Sequence, residues 1–210
     1  MSSRAVLNFR TDRDATERRP FPSSIGHYVD ESVDRFADRV LWRSIDGDRE
    51  VLTYREFQAL TLKCALGLRA RGVERGAHVA LMLPNVPAYL IAWIALARLG
   101  AVAVAVNTAS TSVELDNVLR VSASSHIIID ASYVDVYRAL DPRKRLPAGN
   151  VVVHGPPPTD LPRSWSDLLE SGSWETGDPA IEAQEVASIQ FTSGSSGLPK
   201  ACMLSHLYWM

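Results

Sequence analysis

The chain alternates between short, continuously apolar runs and longer stretches in which apolar residues recur every three to four positions. Ser24 is placed to cap a helix whose apolar positions Ile25, Tyr28, Val29, Val33 and Phe36 keep the 3.6-residue period. Residues 40–45 then read as a strand, Asp46, Gly47 and Asp48 as turn chemistry, and residues 50–52 as a returning hairpin arm. Thr53 and Glu56 form a capping-box pair, in which the hydroxyl serves an orphan amide and the carboxylate reaches back. The helix they open sets Phe57, Leu60, Cys64 and Leu68 on one side, and Gly72 is placed to end it in the left-handed conformation. Cys64 lies on that apolar stripe, which makes it a core thiol rather than a nucleophile.

Strands and helices then alternate. Residues 78–83 are an apolar run of strand length, broken by Pro84 and Asn85, and a helix over Pro87–Leu99 follows with its proline in the first turn. Residues 101–106 form the next strand. Thr111 and Glu114 make a second capping box ahead of Val113, Leu115, Val118, Leu119 and Val121. Strands over 127–129 and 151–153 bracket a short helix over 133–140. Gly155 and Pro156–Pro158 start an irregular stretch, where His154 reads as a solvated loop histidine; 164–169 is a turn or two of helix, and 171–179 is loop. Apolar, β-branched strands of this kind are covered on both faces, as in parallel sheets. The pattern predicts an α/β fold: a largely parallel sheet with helices on both faces, in which ligands bind beyond the carboxyl ends of the strands.

Residues 86–106 are long enough to span a bilayer, but Arg98, Gly100 and Pro87 break the stretch. It reads as a buried helix followed by a buried strand. The 210 residues make one large domain or one and a half small ones, and 46% hydrophobic with 22% charged residues is a soluble globular profile. A net charge of −2 argues against a nucleic-acid partner. Two cysteines cannot build a disulfide framework, which points to a reducing cytoplasm. Residues 1–22 mix Arg4, Arg10, Arg13, Arg18 and Arg19 with Asp12, Asp14 and Glu17, and read as a polar arm rather than a secretory signal.

The segment that carries chemistry lies near the end of the sequence. A strand over 187–191 runs into FTSGSSGLPK at residues 191–200. Gly194 and Gly197 permit positive φ and close approach of the backbone to a ligand. Successive amides in such a loop converge on anionic oxygens. Thr192, Ser193, Ser195 and Ser196 add uncharged donors, and Lys200 adds a mobile point charge for a β- or γ-phosphate. Lysine is rare here, three against nineteen arginines, so a lysine at this place invites a specific role. A flexible Ser/Gly linker is the plainer reading, which the flanking apolar strand and Pro199-Lys200 disfavour. A Walker A loop requires Gly-Lys-Ser/Thr at its end. Lys200 instead lies three residues after Gly197 and precedes Ala201, so that pattern fails.

Residues 191–200 resemble the AMP-binding signature of the adenylate-forming superfamily, which includes acyl-CoA synthetases. LTYREF at 52–57, LRARGV at 68–73, VALMLPN at 79–85, AWIALARLGA at 92–101 and Asn107 match the same family in order and spacing. The resemblance covers roughly residues 25–206. Two departures stand out: Ala201 replaces the family's usual glycine, and Ser196 replaces a threonine while keeping its hydroxyl. Residues 202–209 resemble ligases of the crotonobetaine/carnitine-CoA type within the family.

The resemblance implies the incomplete N-terminal domain of an adenylate-forming enzyme over residues 23–210. It implies an acyl-CoA ligase of fatty acid metabolism in which a carboxylate attacks the α-phosphate of ATP, and CoA then displaces AMP. ATP, Mg²⁺ and CoA are the implied co-substrates and cofactor, and a fatty or carnitine-like acid is the substrate. Thr192, Ser193, Gly194, Ser195, Ser196, Gly197 and Lys200 are then the ATP-binding residues, holding the β/γ-phosphates. No catalytic residue or metal ligand is assigned within these 210 residues. The family's later motifs would follow the phosphate loop, so the expectation is a fragment inactive alone, with an oligomer formed through an uncovered sheet. The alternative is a non-catalytic remnant or partner-binding module. Cys202 and His206 have the i,i+4 spacing of a helical pair, but the sequence supplies no orienting acid for a nucleophilic dyad. Glu114, Asp116 and Asp130 read as helix-boundary or surface acids.

Overall fold

The computed structural model describes residues 21–44, 50–170, 179–192 and 200–210. Residues 1–20, the turn at 46–48, most of the 171–179 loop and the run 193–199 lie outside the described residues.

The first helix, α1 (Ile25–Phe36), is capped by Ser24, whose hydroxyl accepts from the His27 amide. Strands β1 (Val40–Arg43) and β2 (Val51–Thr53) pair antiparallel as a separate small hairpin. Helix α2 (Tyr54–Arg69) opens with the Thr53–Glu56 capping box, closed by reciprocal bonds of 2.8 and 3.2 Å. It ends at Arg69, three residues before Gly72, which nevertheless takes φ +83° in the following turn.

Six strands build the main sheet: β3 (His78–Met82), β4 (Val102–Ala105), β5 (His126–Asp130), β6 (Val151–His154), β7 (Val186–Thr192) and β8 (Lys200–Ser205). Their order is β6-β5-β3-β4-β7-β8, parallel except for the antiparallel β7–β8 pair. The crossovers are α3 (Pro87–Leu99) between β3 and β4, α4 (Ser112–Val121) between β4 and β5, and α5 (Val134–Arg138) between β5 and β6. The predicted helix over 133–140 is thus shorter, entered through a 3₁₀ turn at Ala131–Tyr133. A five-residue helix, α6 (Trp165–Leu169), and a terminal turn of helix, α7 (His206–Trp209), complete the fold.

Alternation along the strands divides the core between the two faces. Val79, Leu81, Ala103, Ile128 and Val152 pack under α1, α2, α3 and α6. Ala80, Met82, Val104, Ile127, Ile129 and Val153 pack under α4 and α5. Both faces are covered, as the continuously apolar strands require. Helix α3 is buried almost all round, and Gly100 ends it at φ +67°. Arg98 within it is 1% exposed and bonds Asp30 of α1 with both terminal nitrogens, one at 3.1 Å. The 86–106 stretch is therefore helix and strand inside the protein. No helix among the described residues is long and apolar enough to cross a membrane.

Gly67 marks where α2 meets α6. A Cβ there would stand 2.4 Å from the Leu168 carbonyl oxygen and 2.6 Å from its Cα, contacts that no side-chain rotation relieves. Gly67→Ala is expected to destabilise the chain by about 1–3 kcal/mol, as overpacking does. A urea midpoint unchanged from the parent would refute that contact.

Candidate functional site

The carboxyl ends of β3, β4, β5, β6 and β7 all open on one side of the sheet, because these strands are parallel. The connection leaving β3 runs to β4 on one flank, while that leaving β5 runs to β6 on the other. Such divergence opens a crevice at the strand ends. The residues there are Asn85 after β3, Asn107 after β4, Asp130 at the end of β5, His154 at the end of β6 and Thr192 at the end of β7.

Of the sequence-predicted phosphate residues, the structure describes two. Thr192 and Lys200 are cross-strand partners at the open end of the β7–β8 pair, and the Thr192 hydroxyl lies 3.5 Å from the Lys200 carbonyl oxygen. Ser193, Gly194, Ser195, Ser196 and Gly197 lie outside the described residues. The pairing brings the chain on either side of them to one place, at the carboxyl edge. Both Thr192 and Lys200 are exposed. Lys144 is neutralised by Asp116 at 2.8 Å, whereas Lys200 has no ion-pair partner among the described residues. An exposed ammonium at a parallel-strand terminus suits a phosphate oxygen.

Beside this edge, between β4, β7 and α4, lies a cavity of about 370 Å³ with Asn107, Ser110, Glu114, Gln190 and Phe191 on its walls. The Glu114 carboxylate is taken up by the capping box: it accepts from the Thr111 amide at 2.7 Å. That backbone bond, then the one from the Thr111 hydroxyl, holds its carboxyl below the usual range. A larger cavity, about 580 Å³, surrounds the Asp30–Arg98 pair. It sits at the carboxyl end of α3, which faces the amino ends of the strands, and so is not the phosphate site.

Other residues fall as follows. Cys64 is fully buried and burial pushes its thiol up, which leaves it inert. His154 is not a solvated loop residue. It ends β6, half-buried, with Nδ1 2.8 Å from Asp130 Oδ2 and its ring edge-on to Trp165. The sequence reading missed this because β5 and β6 are neighbours only in the folded sheet. Burial opposes ionisation of Asp130, but bonds from His154 and the Ser132 amide outweigh it and keep the carboxyl below its ordinary range. Cys202 and His206 do not share a helix. Cys202 is exposed on β8, and His206 is wholly buried at the start of α7.

Strand β8 itself was not predicted. Lys200–Ser205 shows no strict alternation, and its apolar run Ala201–Leu204 is only four residues long with no β-branched residue, so the pairing with β7 is what marks it as a strand. Among the described residues no three His, Cys, Asp or Glu side chains converge as metal ligands.

The model of the family described as "AMP-binding enzyme" matches residues 29–210. The chain is 31% identical to 4-coumarate–CoA ligase 2 of Petroselinum crispum over 157 residues, which is 75% of this chain and 28% of that ligase. Its fold matches a long-chain-fatty-acid-CoA ligase of Archaeoglobus fulgidus with TM-score 0.77 at 25% identity, over 90% of this chain and 38% of the ligase. It also matches the N-terminal domain of FACL13 from Mycobacterium tuberculosis, with TM-score 0.74 at 26% identity, over 88% of this chain and 45% of that domain. The chain thus spans about a third of the length of the two ligases.

Proposed function

This chain belongs to the AMP-binding enzyme family, and from that premise we propose that residues 23–210 are the phosphate-binding part of an ATP-dependent acyl-CoA ligase. The observation that carries the reading is Lys200, exposed and without an ion-pair partner among the described residues, set against Thr192 where the signature run leaves the sheet. Thr192, Ser193, Gly194, Ser195, Ser196, Gly197 and Lys200 hold the β/γ-phosphates of ATP. Their chemistry fits that group: uncharged donors, two glycines and one cation, with no carboxylate among them. When bound, ATP supplies the α-phosphorus that a substrate carboxylate attacks, and Mg²⁺ neutralises the phosphate oxygens. CoA is the second-step acceptor. This chain's part is to fix the pyrophosphate end so that the leaving group is held and its charge offset.

The substrate is a carboxylic acid. Hydroxycinnamates are the first acids to assay, because 4-coumarate and ferulate appear in the names of similar ligases. Fatty and carnitine-like acids are the second set. The chain alone is expected to bind nucleotide without turnover, because it spans about a third of the length of the ligases it matches. Exposed Lys200, Ala201, Cys202 and Met203 leave β8 open along the sheet edge, which supports self-association.

Calorimetric titration of the chain with MgATP and with pyrophosphate tests the reading. Saturable binding of both is expected, with no acyl-AMP formed from 4-coumarate. Absence of binding to either would favour a remnant or partner-binding module instead.

A further inference from the structure

We propose that His206 is a positioning residue. Its neutral ring ties the end of β8 to the start of α1, and protonation of the ring releases that tie and with it the hold on the strand that begins at Lys200.

The contact joins residues 181 positions apart. Nδ1 of His206 accepts the Ile25 amide at 3.3 Å, and the ring has no exposed surface. Ile25 is the first residue of α1, so its amide is one of the donors a helix leaves without an internal partner. Ser24 serves the His27 amide through its hydroxyl and the Tyr28 amide through its carbonyl, and His206 serves Ile25 from the other end of the molecule. The backbone around His206 is held as well: its amide donates to the Glu185 carbonyl at 3.0 Å, and the Leu207 amide to the Ala183 carbonyl at 2.7 Å. Strand β8 is thereby fixed at its far end, six residues from the lysine at its beginning.

The bond dictates the tautomer. A ring nitrogen that accepts has no proton, so the proton of the neutral ring sits on Nε2. That nitrogen is buried without a hydrogen-bond partner among the described residues. The site therefore holds a neutral imidazole at the expense of one unsatisfied donor. A proton added to Nδ1 would face the Ile25 N–H and place a cation against the positive end of α1. Burial acts in the same direction and holds the ring below its ordinary value of 6.5. The opposing influence is Glu185, whose carboxylate is already engaged by Arg75 at 3.0 Å and through a second guanidinium nitrogen. Near Glu185, Glu182 contributes a further carboxylate that acts on Arg75. Helix α1 carries His27, bonded to Ser23, and Asp30, bonded to Arg98 and Gln58, together with Tyr28, Glu31, Asp34 and Arg35.

The sign follows from the depressed value. The contribution to stability is complete above 6.5, where the unfolded ring is also neutral, and is lost as pH falls through the lower value of the folded ring. The role of the strand rests on the reading of Lys200 given above, whereas the tie does not.

Nitrogen-15 spectra of the imidazoles in the labelled chain, recorded from pH 8 to pH 5, test the tie without any substitution. The expected result is an Nε2–H tautomer for His206 that titrates below 6.5. The Nδ1–H tautomer, or titration at or above 6.5, would overturn it. His206→Asn keeps an acceptor at the Nδ1 position and does not titrate, while His206→Leu keeps only the bulk. Exchange of the Ile25 amide should quicken by about tenfold or more in the leucine variant and less in the asparagine variant. The acid-side fall in melting temperature should be shallower in the asparagine variant than in the parent, and equal slopes would count against the proposal. Pyrophosphate affinity should fall more steeply in acid for the parent than for His206→Asn, where only protonation of the ligand contributes; equal declines in both would overturn the link to Lys200. If the parent binds no pyrophosphate at any pH, the phosphate-loop reading fails, and the spectra still decide the tie.

Discussion

Arg98→Ala is expected to lower the stability of the chain by about 3–5 kcal/mol, the cost of removing one partner from a buried charge pair. Arg98 is 1% exposed and lies in the last turn of α3, in a helix that after Pro87 is otherwise made of Ala, Leu, Ile and aromatic residues. Its guanidinium grips Asp30 of α1 through both terminal nitrogens, and its Nε donates to the Thr61 hydroxyl of α2 at 3.3 Å. Gln58 adds a bond to the same carboxylate at 2.6 Å. One side chain thus joins three helices on one face of the sheet. Truncation would leave Asp30 half-buried with its strongest partner gone, and would open a void beneath α1.

Burial raises the Asp30 carboxyl, but bonds from Arg98 and Gln58, and the Arg98 charge, more than reverse this, so it sits below 3.8. A depressed carboxyl contributes stability above its unfolded value of 3.8 and loses it as pH falls through the folded value. The Arg98→Ala protein should therefore show a flatter stability profile below about pH 4 than the parent. Paired with Asp30→Asn, the loss should be smaller than the sum of the single losses, because the two residues share one interaction. Urea unfolding of the four proteins measures both. A loss under about 1 kcal/mol in Arg98→Ala would show the pair to be a surface contact in energy.

Lys200→Ala is expected to weaken pyrophosphate binding about ten- to hundredfold, the worth of one charge-assisted contact. The lysine is exposed and has no ion-pair partner among the described residues, so the melting temperature should not move. Lys200→Arg keeps the charge but replaces a compact ammonium by a planar fork, and should restore affinity only in part. Titration calorimetry beside a thermal melt separates binding from folding. Unchanged affinity in Lys200→Ala would remove the lysine from the phosphate site, and a large fall in melting temperature would make it structural.

Much of this was legible along the chain. Ser24, the Thr53–Glu56 and Thr111–Glu114 boxes and Gly100 mark helix ends through bonds to residues within a few positions, Pro87 marks one through its fixed φ, and the structure places the helices there. The apolar strands announced a sheet covered on both faces. The misses share a different property. His154 meets Asp130 only because β5 and β6 are neighbours, and β8 is a strand only because β7 lies beside it. Neither partner is marked in the local pattern.

The sequence by itself determined most of the elements, the α/β class and the family signature at residues 191–200, since capping, periodicity and a contiguous motif are all written over short spans of chain. The tertiary structure alone decided the strand order, the pairing of Thr192 with Lys200, the burial of Arg98 against Asp30 and the tie from His206 to Ile25. Those contacts depend on which surfaces meet once both faces of the sheet are covered. Burial then turns an arginine in an apolar helix into a clamp and a terminal histidine into a helix cap.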